Sequence, residues 1–344
     1  MEQEVFEHLS RITTICDGLA RHPAWDDKQQ RVAFDRLSAF DHDFWTFTRY
    51  LSLPLYEETN ALLHQGDLSI LDPPTIAVVM ALHRPEPPLL TLAIRSALES
   101  VGVRVHLHLS LDGPEGNLPL VEDVLAALAV DRQQVSVHLH PHNRGVGLCR
   151  NAALELMQQE WFTFLDCDDI FHPLRLLHAW LETTRHHITF LNTSYSRVSL
   201  RQRKIVLLQQ GLSSIGGNSF FANRSVLTNY GYLAPLRFWE DSEYQQRLRH
   251  FALPMLSSRV IGHYQNTDLA PGYQSLATRW RKEAYSIEGH PWLCGTVLGD
   301  IDVETDTIRS HFLALYPRLR AEQLAKVFPP EGAPMGMVST PPQG

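Results

Sequence analysis

The stretch WFTFLDCDDIF, Trp161 to Phe171, decides how this chain of 344 residues is read. An apolar, aromatic run ends abruptly in three carboxylates, Asp166, Asp168 and Asp169, with Cys167 between the first two. The run is short and rich in aromatic residues, which fits a buried strand better than a helix. Carboxylates crowded behind a strand suit a hard divalent cation, which takes oxygen ligands and shares them with a substrate's phosphates. In extended backbone Asp166 and Asp168 would share one face, leaving Cys167 to pack on the other. Asp169 is expected to cap the helix that follows, and helix capping is also the plain alternative for the whole cluster.

Upstream, strand and helix signals alternate. In LDPPTIAVVMALHRPEPP two prolines introduce a β-branched run from Thr75 to Met80, the expected first strand. An amphipathic helix from Leu89 to Ser100 follows, then the strand VRVHLHLSLDG, a helix in LVEDVLAALAV, the strand QVSVHLHPHNRG, and a helix after Gly147. Four such units predict crossover connections and a mainly parallel central sheet flanked by helices. Downstream of Asp166, HPLRLLHAWLETTRHH reads as a helix, ITFLNTSYSRV and RKIVLLQ as an antiparallel pair, EDSEYQQRLRHF as a helix and SRVIGHY as a strand. Residues 1–72 carry helical spacing, with Pro23 and Pro54 as interruptions, and form an expected N-terminal extension. The main domain is placed at 73–268, a helical C-terminal region at 269–328, and a disordered Pro/Gly-rich tail at 329–344.

Composition narrows the function. A formal net charge of -8 and a pI near 6.1 offer no basic field for nucleic acid. Four scattered cysteines form no zinc or disulfide pattern and fit a reducing cytoplasm. No apolar run approaches the roughly 20 residues of a membrane span, so membrane contact is expected to be peripheral. The helical extension is expected to pack on the main domain or to form a homodimer.

In open sheets of this kind, ligands collect at the carboxyl ends of the strands. Four such ends carry chemistry here: ALHRPE, Asp112 in LDG, NRGVGLCRN and DCDD. Gly145 and Gly147 make a tight strand-to-helix turn, and Arg150 in the first helical turn can aim a guanidinium at phosphate or at an acidic partner. Glu240 and Asp241 follow Trp239 at a helix start, where acidic residues either complement the helix dipole or act as a general base. His106, His108, His138 and His140 alternate with apolar residues and read as the wetter face of two strands.

Together these segments resemble the family 2 glycosyltransferases over about residues 75 to 265. The resemblance rests on the order of HRPE, LDG, NRGVGLCRNAAL, FLDCDDIFHPLRL and NYGYLAPLRFWEDSEYQQRL. It implies the GT-A fold and transfer of a sugar, with inversion, from a nucleotide diphosphate donor, UDP-linked by expectation, to a glycan or other hydroxyl acceptor. It implies that Ala81, His83 and Arg84 pass beside the base, that Asp112 contacts the uracil, that Arg150 supports the pocket and that Asp166 holds the ribose. Asp168, with Asp166 and His263, would hold Mn2+ or Mg2+. Asp241 would be the catalytic base beside Glu240, and Trp239 would border the acceptor. Two other readings stand beside this one. A sugar nucleotidyltransferase should place a Gly-rich loop after the first strand, where ALHRPEPP has no glycine. A catalytically silent nucleotide-binding or scaffolding protein of the same fold has no chemical need for both carboxylate groups.

Overall fold

The computed structural model describes residues 2–21, 25–64, 72, 74–206, 214–234, 236–238, 240–268, 285–287 and 290–297. Two helices, α1 (Glu2–Leu19) and α2 (Asp27–Leu63), precede the sheet. The α2 N-terminus closes as a capping box, with Asp26 accepting from the Gln29 N–H and the Gln29 side chain returning to the Asp26 N–H. The expected break at Pro54 is absent, because α2 runs through it. A proline ring removes one helical hydrogen bond but does not end a helix whose flanking turns are anchored. Leu51, Leu55, Tyr56, Leu62 and Leu63 are all buried on either side of it. Each such side chain contributes about 1.5–3 kcal/mol on burial.

The main unit follows as β1 (Thr75–Leu82), α3 (Pro87–Leu98), β2 (Arg104–Leu111), α4 (Leu118–Ala127), β3 (Val135–Leu139), α5 (Val146–Leu156) and β4 (Trp161–Phe164). After it come β5 (Ile170–Phe171), α6 (Arg175–His186), β6 (Phe190–Ser199), β7 (Lys204–Val206), β8 (Ser214–Asn223), α7 (Ser225–Tyr230), β9 (Leu236–Phe238), α8 (Glu240–His250) and β10 (Leu256–Asn266). The large sheet runs β3-β2-β1-β4-β8-β6-β10-β5, with β7 paired to β6. Its first four strands are parallel, as the alternating units require. The other half is mixed: β8 is antiparallel to both β4 and β6, while β10 is parallel to β6. The expected antiparallel pairing of β6 with β7 is present.

Strand alternation builds two cores, one on each face of the sheet. Ile76, Val78 and Met80 point into a cluster with α1, α2, α3 and α6, whereas Ala77 and Val79 point into a second with α5, α7 and α8. The N-terminal helices therefore share the hydrophobic core of the sheet: Ile12, Ile15 and Leu37 lie in one cluster with Val78 and Leu107. Of the region expected to be helical at 269–328, the described residues are strands, β11 (Tyr285–Ile287) and β12 (His290–Val297), with β12 paired to β9. The remainder of that region and the tail at 329–344 lie outside the described residues. No helix among the described residues is long and apolar enough to cross a membrane.

Candidate active site

Five loops meet at the carboxyl ends of β1 to β4. After β1, Ala81 and His83 are half-buried and Arg84 is exposed. The imidazole of His83 meets the Asn143 amide at 3.1 Å, and the Arg84 N–H donates to the Glu115 carbonyl at 2.9 Å. Asp112, after β2, is 3% exposed. Its carboxylate accepts from the N–H groups of Arg144 at 2.5 Å and Gly145 at 3.0 Å. It thereby fixes the loop that leads into α5, with Gly145 at φ +83 as that helix's N-cap.

One face of α5 organises the rest. Gly147, Arg150 and Asn151 lie three and four residues apart and so share that face. The Asn151 side chain brackets Leu233, donating to its carbonyl at 2.8 Å and accepting from its N–H at 3.0 Å. A Cβ on Gly147 would stand 3.2 Å from the Ala234 carbonyl and from Cβ and Cγ of Glu240. Arg150, 2% exposed, donates through one nitrogen to Glu240 and through another to Asp166, each at 2.6 Å. Its guanidinium lies 4.5 Å above the Phe164 ring. Burial alone would lower the Arg150 pKa, but Asp166, Glu240 and Asp241 outweigh it and hold the group above its ordinary value. Burial and then Asp241 push the Glu240 carboxyl up, while Arg150 works against both.

The aspartate cluster is a turn, not the extended segment expected. The Asp169 N–H donates to the Asp166 carbonyl at 3.1 Å, which folds the chain back into β5. Asp166, with its side chain 41% exposed, faces Arg150. Cys167 packs against the larger core cluster, and burial holds its thiol well above the ordinary range. Burial, then Asp169 and Asp166, raise the Asp168 carboxyl well above its usual value, and no cation pairs with it among the described residues. Asp169 does not cap α6, whose N-cap is Leu174 with no side-chain bond. Its carboxylate instead meets His263 Nε2 at 2.9 Å and accepts from the Asn266 N–H at 3.0 Å. His263 is fully buried on β10, and burial, then Arg175, hold its pKa well below the usual value. It reaches the cluster through Asp169.

The structure thus joins Asp166 and Glu240 through Arg150, with Asp168 on the same turn as Asp166, Asp241 next to Glu240, and Asp112 bracing the loop into α5. Trp239 lies outside the described residues. Sequence reading missed Asn151 and the tie between Asp169 and His263; it also missed Arg175, a guanidinium 2% exposed and 3.9 Å from the Phe171 ring. The histidines of β2 and β3, with His140 just past β3, satisfy one another and their neighbours. His108 meets His138 at 3.2 Å and Gln159 at 3.0 Å, while His106 and His140 meet Ser136 and Ser110, each at 2.9 Å. Among the described residues, the three-ligand group whose donor atoms all lie within 4.8 Å is elsewhere, at Glu58, His178 and Glu182.

Similar structures include S. aureus TarS 1–349 in complex with UDP, at 18% identity and a TM-score of 0.45, covering 56% of this chain and 61% of that one. TarS 1–349 in complex with UDP-GlcNAc is similar at 16% identity and a TM-score of 0.46, covering 73% of this chain and 69% of that one. No curated protein matches the sequence. Residues 77–238 match the model of glycosyl transferase family 2, a span from β1 to β9 that holds the aspartate turn, Arg150 and the loop leading to Glu240, and over this span the chain is similar to that family.

Proposed function

We propose that the chain transfers a sugar from a nucleotide diphosphate donor, UDP-linked, to a hydroxyl acceptor, with inversion and with the help of a divalent cation. One observation carries this reading: a single buried arginine is ion-paired both to the strand-end cluster, through Asp166, and to the separate carboxylate pair, through Glu240. Two acidic groups with different roles are thereby held at a fixed separation. Asp166 and Asp168 are the donor-side residues. Asp168 is raised by burial and its acidic neighbours and no cation pairs with it among the described residues, so the oxygen donor set fits Mn2+ or Mg2+. When bound, such an ion neutralises charge developing on the leaving diphosphate.

The chain's own residues supply the rest. Asp241, half-buried at the first turn of α8, takes the proton from the attacking hydroxyl. Glu240, more deeply buried and tied to Arg150, positions that turn. A base placed apart from the donor carboxylates allows attack on the face opposite the leaving group, which inverts the anomeric carbon. The resemblance assigns Ala81, His83, Arg84 and Asp112 to the nucleotide base and Trp239, outside the described residues, to the acceptor side.

Calorimetric titration with UDP tests the donor side: binding should require Mn2+ and be lost in Asp168→Asn. Metal-independent binding, or none, would overturn it. Asp241→Asn should abolish transfer while leaving UDP affinity within about threefold; loss of both would place Asp241 in a structural role.

A further inference from the structure

We propose a second metal site, formed by residues other than the aspartate turn, in which Glu58 of α2 with His178 and Glu182 of α6 bind a divalent transition-metal cation of the Zn2+ type. One ligand atom from each residue lies within 4.8 Å of the other two. His178 and Glu182 are four residues apart and so present their side chains on one face of α6, the face that α2 packs against. His186 continues that face one turn further on, with Nε2 3.4 Å from Glu182.

The independent indication is His178. Its side chain is 3% exposed, and its Nε2 is buried without a hydrogen-bond partner among the described residues. A buried imidazole nitrogen ordinarily finds a donor or acceptor. Here it points to Glu58 at 3.4 Å, which is longer than a charge-assisted hydrogen bond. Tetrahedral ligands at Zn–N and Zn–O distances near 2.1 Å stand about 3.4 Å from one another. The spacing therefore matches an edge of a metal's coordination shell better than a hydrogen bond. One nitrogen and two carboxylates suit Zn2+ better than Ca2+ or Mg2+, which prefer all-oxygen sets. Glu58 remains half-exposed, which leaves the cation a path from solvent.

The consequence is structural. The site would bridge the N-terminal helix pair and the helix that follows the aspartate turn, so metal binding would add to the stability of their contact.

The test uses the full chain freed of metal by chelation. Titration with Zn2+ should show one equivalent bound and a raised Tm. Glu58→Gln and Glu182→Gln should each weaken Zn2+ binding by about tenfold or more. Both positions are off the apolar core, and each variant's Tm in chelator should match the parent's, which separates ligand loss from misfolding. Zn2+ binding should survive Asp168→Asn, and Mn2+-dependent UDP binding should survive Glu58→Gln, so the two metal proposals fail separately. No stoichiometric Zn2+ binding, binding indifferent to Glu58→Gln and Glu182→Gln, or binding abolished by Asp168→Asn would each overturn the proposal.

Discussion

Replacing Arg150 by methionine removes the guanidinium and keeps most of its aliphatic bulk. Its two acidic partners then fare differently. The Glu240 side chain is 5% exposed, so it is left as a buried charge without its cation, a loss of about 3–5 kcal/mol. The Asp166 side chain is 41% exposed and regains water, so that arm adds only about 0.2–1 kcal/mol. Urea unfolding above pH 8, where Glu240 is ionised, should therefore show Arg150→Met destabilised by about 3–6 kcal/mol in all. The sign of its pH dependence follows from Glu240. Burial and Asp241 already raise that carboxyl, and removing Arg150 removes the positive charge opposing them. A group whose folded pKa is raised favours the folded state when protonated and loses that contribution as pH rises. Because that carboxyl already stands at about 8 in the parent, the gap between Arg150→Met and the parent should narrow as pH falls toward 8 from above and stay nearly constant from there down to pH 5. Adding Glu240→Gln removes the stranded charge, so the double variant should recover much of the loss. Transfer should fall about 100-fold or more, because the α8 turn carrying Asp241 is no longer fixed to the donor side. A loss below about 1 kcal/mol, or no recovery in the double variant, would refute the bridge as the element that holds the two carboxylate groups.

Two further outcomes are expected. His108 and His172 are buried and held at about 4, against an ordinary 6.5, so their neutral forms support the fold above pH 6.5 and that support is lost as pH falls toward 4; it amounts to roughly 3 kcal/mol each at most, and the urea midpoint should drop steeply between pH 6.5 and 4.5. Gly147→Ala places a methyl 3.2 Å from the Ala234 carbonyl and from Glu240, so transfer should fall by about tenfold or more, with a stability loss of about 1–3 kcal/mol measured by thermal unfolding.

What was legible in the sequence follows from how far each signal reaches along the chain. The parallel half was open to view because its strands are dense runs such as TIAVVMAL, each followed by a helix with its own periodicity. β8 was not, although it sits between β4 and β6 in the sheet. Its sequence, SIGGNSFFAN, opens with glycine and polar residues that read as a loop, and only the neighbouring strands and the burial of Phe220, Phe221 and Ala222 make it a strand. The same limit explains Asp169. Asp is favoured before helices, and no local pattern shows that β10 will bring His263 to meet it from 94 positions away. Pro54 is the converse case, a strong local breaker overruled by the buried side chains on both sides of it.

The face of α5 is a place where local spacing carries more than its motif suggests. NRGVGLCRN reads as a glycine turn with one arginine, yet its helical spacing already places Gly147, Arg150 and Asn151 together. These three residues act on one segment in different ways. The missing Cβ of Gly147 lets the 233–240 segment approach, Asn151 hydrogen-bonds its backbone at Leu233, and Arg150 fixes Glu240 by charge. None of the three would hold Asp241 at a set distance from Asp166 alone, because a close contact without polar bonds can slide and an ion pair without close packing can swing. The separation between donor and base is therefore a property of this helix face, and variants on it should disturb catalysis more than they disturb nucleotide affinity.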